Sequence, residues 1–481
     1  MQTGRSFTEF PQLTLLPTCQ PPARRLSIAH TLPKNMKRIV ALPLVACVST
    51  LALSATAANW SNWRGPNHNG TSPEKNLPTK FSRTENVKWK ADLPGISAAT
   101  PIVHGDHIFL SSANEKSDTL HAIAVNRTNG KILWNKKIAS TYRRDSRSTF
   151  AAPSPVTDGK IVIFHYGNGE VAAYDFSGKE VWARNLQDKH GQFSIQWTPS
   201  SSPLLHEGTL YFQVLQRDVQ VSFQGARYGK PKDNKSYLLA VDPKSGKDRW
   251  KVYRSSEAVV ESREAFSSPY PFVHKGREEI VLVGGDDITG HDPKNGKELW
   301  RWGTWNPSRI GHWRLVPSPV SGGGVLLACA PKGAPVYAVK AGGEARLSDD
   351  SVAWISPDRE ISSDVPTPAF YKGKFYVVND RRGLLLCVNP RNGRVVWKGK
   401  MKGLGRITSK FEASPTVADG HVYMMNHKGE VIVAKVGGDK FVQVHAAAMG
   451  RKDDLNLRSS VVVSQGNLFV RTGNELFCIG K

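Results

Sequence analysis

The stretch AVDPKSGKDRWKV, residues 240–252, recurs as AVNRTNGKILWNK (124–136), AYDFSGKEVWARN (173–185), GHDPKNGKELWRW (290–302) and CVNPRNGRVVWKG (387–399). Each copy begins with a short apolar run, turns through an Asp or Asn segment ending in Gly, and resumes in a run that carries Trp. Where Pro occurs it presets φ at the second turn position, and Gly supplies the left-handed residue that closes the turn. The phrase therefore predicts a hairpin whose second strand presents Trp134, Trp182, Trp250, Trp300 or Trp397. Trp354 marks a decayed copy, and VAKVGGDKFVQV (433–444) carries Phe441 where Trp would sit.

A second phrase alternates with the first: ATPIVHGDHIFL (99–110), PSPVTDGKIVIF (153–164), SSPLLHEGTLYF (201–212), SSPYPFVHKGREEIVLV (267–283), PSPVSGGGVLLA (317–328), PTPAFYKGKFYVV (366–378), ASPTVADGHVYMM (413–425) and SSVVVSQGNLFV (459–470). It reads as strand, Gly turn, strand, at a spacing of roughly 50 residues, the length of a four-stranded blade. Two hairpins per repeat give an all-β, eight-bladed β-propeller of four-stranded antiparallel blades. The last strand, NELFCIG (474–480), lacks a Trp strand, whereas NVKWKADL (86–93) has Trp89 and no preceding partner. Pairing the N- and C-terminal strands completes the eighth blade and removes an exposed sheet edge.

The Ala-x-Asp-x-x-x-Gly-Lys-x-x-Trp phrase resembles the tryptophan-docking repeat of the PQQ-like, or quinoprotein alcohol dehydrogenase-like, propellers. The resemblance covers about residues 87–481, and the opening NWSNWRGPNHNGTS (59–72) resembles an exported bacterial branch of that family. The family includes PQQ-dependent dehydrogenases and the propeller lipoprotein of the outer-membrane barrel assembly machinery, so the fold alone implies no single function.

The formal charge is +24, of which residues 1–58 contribute +5 and the rest +19. Residues 36–58 have the form of a signal peptide: Lys37 and Arg38, an apolar stretch Ile39–Leu53, and the small residues Ala55-Thr56-Ala57. The apolar stretch is shorter than the roughly 20 residues a spanning helix needs. No transmembrane span is expected in the mature chain, and a periplasmic or cell-envelope location is. A lipid anchor at Cys47 in LVAC (44–47) is the minor alternative, and residues 1–35 read as a non-structural extension or a start codon set too early. Residues 59–86 are expected to pack on the propeller formed by 87–481. Export makes nucleic acid a poor partner, and a monomer is expected. Beyond the leader, Cys329, Cys387 and Cys478 lie far apart in apolar runs with no CxxC, which signals neither c-type haem nor a Cys-based zinc site.

In this topology the loops leaving each outer strand share one face with the turns between second and third strands. The first set is long and rich in functional residue types, so a site is expected there. Arg143, Arg144, Arg147, Arg263, Arg309, Arg314, Arg406 and Arg458 could line a funnel for carboxylate, sulfate or phosphate groups through bidentate hydrogen bonds. The alternative is local ion pairing: Arg143–Asp145, Arg263–Glu264 and Lys410–Glu412. Trp197 and Trp313 offer flat faces to a sugar or quinone ring, or simply cover the propeller mouth. Glu261, Glu264, Asp364 and Glu412 have oxygen ligands suited to Ca²⁺, but at no recognisable spacing, so no metal site is expected. His190 and His312 are the acid–base candidates by residue type; Glu261 and Asp364 are the acidic catalytic candidates. The Ser-Pro pairs read as strand-initiating devices rather than nucleophiles. Residues 216–236 form the longest insertion and are expected to lie over this face.

The resemblance to PQQ dehydrogenases implies a quinone between a Trp and a ring of adjacent, disulfide-linked cysteines, beside Ca²⁺. This chain has no adjacent cysteine pair. The sequence thus favours an exported, non-catalytic scaffold binding an envelope protein or an anionic polysaccharide on its long-loop face. The alternative is a PQQ- and calcium-dependent dehydrogenase oxidising an alcohol or sugar.

Overall fold

A computed structural model describes residues 58–217, 235–303, 305–357, 359–405, 410–454 and 456–481. Cys47 and the leader up to residue 57, the insertion over 218–234 and Arg406 lie outside the described residues. The described chain forms eight antiparallel sheets in sequence order, the blades of a propeller. Blade 3 shows the pattern: Leu204–His206, Thr209–Val214, Tyr237–Val241 and Asp248–Tyr253, innermost to outermost. Its two middle strands are buried at every residue, which is why they read as unbroken apolar runs rather than alternating ones. Neighbouring blades share each core: Phe109 and Ala122 of blade 1, for example, pack with Phe164 and Tyr174 of blade 2.

Blade 8 is built from both ends of the propeller. Val87–Asp92 pairs antiparallel with Glu475–Ile479, beside Asn467–Arg471 and Val462–Ser464. Blade 4 departs from the four-stranded expectation, because Ala345–Arg346 adds a short fifth strand parallel to Glu298–Trp302. That strand belongs to the decayed copy of the phrase, which lacks the tight Gly turn and so crosses back onto the preceding blade.

The repeated phrase has one structural purpose. Five outer-strand indoles, those of Trp89, Trp134, Trp182, Trp250 and Trp354, lie against the turn glycine of the following blade and donate the N–H to a carbonyl of that turn. Trp134 reaches Phe176 O at 3.0 Å, Trp182 reaches Pro243 O at 2.8 Å and Trp250 reaches Pro293 O at 3.2 Å. Trp354 docks as well as any, on Gly393 with Pro390 O at 2.7 Å, because the decay lies in its own turn and not in the one it reads. Trp89 closes the circle on Gly130, with Arg127 O at 2.8 Å. Two indoles face decayed turns: Trp300 donates inside its own blade to Glu279 (2.5 Å), and Trp397 finds no acceptor among the described residues. At Gly246 the backbone is left-handed (φ 68°) and a Cβ would lie 2.6 Å from the Trp182 ring.

Residues 58–72 cross between blades at the end opposite the long loops, and residues 77–86 pack against blades 7 and 8. Trp60 bridges Val103 of blade 1, the Thr157 amide of blade 2 donates to Ser61 O, Thr71 bridges Val417 of blade 7, and Arg83 grips Glu475 of blade 8 at 2.8 Å. Gly246→Ala, which adds both a left-handed Ala and a clash with the docked indole, is expected to lower the unfolding free energy by about 2 kcal/mol or more. Chemical denaturation checks this, with an exposed turn variant such as Lys244→Ala as the neutral reference.

Candidate functional site

The strand-initiating hydroxyls form a belt around the axis. Thr100, Ser154, Ser202, Ser268, Ser318, Thr367, Ser414 and Ser460 occupy the same place in successive blades, and all but Ser460 precede Pro. A proline holds the residue before it extended, and all of these residues except Ser414 give their amide to the hydroxyl of the next blade. The distances run Thr100 to Ser154 2.9 Å, Ser154 to Ser202 3.0 Å, Ser202 to Ser268 3.0 Å and Ser268 to Ser318 2.8 Å. They continue Ser318 to Thr367 2.9 Å, Thr367 to Ser414 2.9 Å and, across the closure, Ser460 to Thr100 3.1 Å.

The belt residues other than Ser318 line a central cavity of about 760 Å³ that also reaches Trp63 of the crossing segment. The long loops supply Arg147, Trp197, Glu261, Arg314, Lys410 and Arg458; the turns between second and third strands supply Lys332, Asp380 and Arg381. Its wall thus carries six cations, Arg147, Arg314, Lys332, Arg381, Lys410 and Arg458, against Glu261, Asp364, Asp380 and Glu412. The carboxylates are engaged. Glu261 meets Arg314 at 3.1 Å and accepts the Trp197 indole N–H at 3.1 Å. Glu412 lies 2.7 Å from Arg458 Nε and 2.9 Å from His427 Nε2. Asp364 takes the Lys332 amide at 2.7 Å, with Arg381 at 3.7 Å, and gives its own amide to Asp380 at 2.8 Å. Arg147 and Arg314 each place the guanidinium carbon 5.8 Å from the Trp197 ring centre.

Burial and neighbours split these acids. Burial resists ionisation of Glu412, yet hydrogen bonding to His427 and the Arg458 charge hold its pKa down at about 2. Asp380 is pushed up to about 6, first by burial and then by the charges of Asp364 and Glu412, against the pull of the Asp364 amide. Burial and the neighbouring Arg314 lower the Lys332 ammonium.

Of the residues singled out by sequence, Arg147, Trp197, Glu261, Arg314, Asp364, Glu412 and Arg458 converge on this cavity, and Arg143, Arg144, Arg263, Arg309, Trp313, His190 and His312 do not line it. Arg143 is buried in its loop, and Arg309 pairs with Glu257. The Trp313 amide donates to Ser262 Oγ at 2.7 Å. His190 ends the short helix Leu186–His190, buried beside Tyr237 and 3.3 Å from Asp248, where burial lowers its pKa. His312 is exposed. Two of the acids chose partners other than their sequence neighbours: Glu264 pairs with Arg217 at 2.5 Å, and Glu412 with Arg458. Lys332, Asp380, Arg381 and Trp63 are missing from the sequence reading. The first three sit in turns between second and third strands, which share the long-loop face and would have repaid the same scrutiny.

A quinone with its calcium does not fit this donor set. The wall carboxylates already have cationic or amide partners, and no three His, Cys, Asp or Glu side chains gather to hold a metal among the described residues. Cys329, Cys387 and Cys478 are buried and unpaired, outside the cavity wall.

Residues 81–230, 224–353 and 348–481 match the family described as outer membrane protein assembly factor BamB. The chain belongs to the BamB family. The crystal structure of BamB from Moraxella catarrhalis superposes with TM-score 0.54 at 13% identity, over 84% of this chain and 100% of that one. A europium-containing methanol dehydrogenase gives 0.62 at 12%, over 86% and 90%. Quinohemoprotein alcohol dehydrogenase from Comamonas testosteroni gives 0.57 at 12%, over 88% and 81%. At these identities the likeness is one of fold, and it joins the BamB family to enzymes as well as to its own members. No curated protein matches the chain in sequence.

The raised Asp380 pKa has a signed consequence. A carboxyl group held neutral in the folded state contributes its stability below its unfolded pKa near 4 and loses it as the pH rises through about 6. Asp380→Asn, which keeps an oxygen for the Asp364 amide, should melt higher than the wild type at pH 8 and no higher at pH 4. Thermal denaturation at the two pH values measures it.

Proposed function

We propose that this protein is a non-catalytic binding propeller of the bacterial envelope that takes an acidic glycan into its central cavity from the long-loop face. The observation that carries the reading is Trp197 with Arg147 and Arg314 beside its ring on the wall of a hydroxyl-lined cavity. An aromatic face suits a sugar ring, and guanidinium forks suit its carboxylate or sulfate groups. The excess of cations on the wall leaves the cavity net positive. The engaged carboxylates argue against the dehydrogenase alternative, since they offer calcium no free oxygen cage. A second reading, an acidic segment of an envelope protein in the same cavity, is favoured by membership of a family described as an assembly factor.

Titration with oligogalacturonate should give saturable binding that weakens steeply with salt, since exposed charges are screened within about 10 Å at 0.1 M. Arg147→Gln should weaken it roughly tenfold, about 1.4 kcal/mol. Binding that ignores salt or the substitution would overturn the glycan reading, and binding of acidic peptide alone would select the second.

A further inference from the structure

Below the arginines the cavity ends in an unusual set of donors. A hydroxyl carries one O–H and two acceptor pairs. The hydroxyls of Thr100, Ser154, Ser202, Ser268, Thr367 and Ser414 each accept a neighbouring amide, and none gives its proton to a protein acceptor among the described residues. All six line the cavity. Arg64 of the crossing segment, 2% exposed, donates to Pro368 O at 2.8 Å and Pro415 O at 3.2 Å, the carbonyls one residue beyond Thr367 and Ser414. Its Nε has no partner, and it is in no ion pair among the described residues. Its guanidinium carbon lies 5.4 Å from the ring of Trp63, which lines the cavity.

This guanidinium is held in place. Gly70 is left-handed (φ 78°), and a Cβ there would lie 2.0 Å from Arg64 Nη2, so the loop closes around the side chain only because Gly70 has none. Complete burial pushes the Arg64 pKa down to about 9, the mark of a cation without a counter-charge. Buried charges are ordinarily paired, and two carbonyl dipoles balance this one incompletely.

We infer that the end of the cavity at the hydroxyl belt is a subsite for one oxyanion group, carboxylate, sulfate or phosphate, held by the belt hydroxyls, with the buried Arg64 charge beside Trp63, outside the wall, acting on it through the field rather than by contact. The inference deepens the glycan reading, on which it rests for the larger ligand. A terminal acidic substituent of the glycan would seat here while the sugar rings meet Trp197 and the arginines above. A free inorganic anion has the same chemistry.

The full chain titrated with sodium sulfate at constant ionic strength, against chloride, should show a saturable change in tryptophan fluorescence. Arg64→Gln should weaken it at least tenfold, and Arg391→Gln, on an exposed turn, should leave it unchanged. Should Arg64→Gln fail to fold, wild-type crystals soaked in selenate decide: an anomalous peak at the axis beside the belt supports the subsite, and a peak only at the upper arginines, or none, overturns it. Glycan binding without an axial anion would discard this inference and leave the glycan reading standing; axial sulfate without glycan binding would do the reverse. A sulfated monosaccharide binding more tightly than inorganic sulfate would support the subsite as a seat for a ligand's terminus, and the opposite order would support it as a seat for the free ion.

Discussion

An indole laid on the next blade's turn glycine is the contact from which the rest of the structure follows. A four-stranded blade with two apolar faces has no stable existence alone, and it must be covered on both sides. The Trp supplies cover and register together: its ring needs a glycine beneath it, and its N–H needs a carbonyl of the same turn. Both conditions are met only when adjacent blades sit at one offset, so the angle between them is set locally. Trp89 on Gly130 applies the same rule across the chain ends, which closes the ring without any special device.

The serine and threonine belt repeats that logic at the inner radius. Outer indoles and inner hydroxyls thus clamp five pairs of neighbouring blades at two distances from the axis, and the hydroxyls alone tie blade 4 to 5 and blade 6 to 7. A frame tied at both radii leaves its loops free to vary, and the loops have used that freedom to build a charged wall. The wall is cross-braced, because Glu261 and Glu412 each hold an arginine and a second donor or cation. Such pairs position guanidinium groups as much as they neutralise them.

The fold was legible because the docking contact is written in full in each copy, as Gly in one repeat and Trp at fixed spacing in the one before. Closure was legible from the strands left over at the two ends. The site was only partly legible. Its cations could be read as residue types, but acids on this face pair with neighbouring loops rather than along the chain: Glu412 and Arg458 lie 46 residues apart, and Glu264 and Arg217, beside the cavity wall, lie 47 apart. No local pattern encodes such partners, and proximity in sequence suggested Lys410 and Arg263 instead. Asp380 was hidden in a short turn, and its raised pKa depends on burial that no string of letters displays. The fifth strand of blade 4 was equally invisible, since it arises where the phrase has decayed.

Trp63 makes the segment over residues 58–72 part of the cavity wall as well as a tie between blades. A ligand seated beside Trp63 would press on the same stretch that joins blades 1, 2 and 7. Occupancy of the cavity and cohesion of the ring are thereby linked, because whatever rests against Trp63 would also brace the chain that straps those blades together.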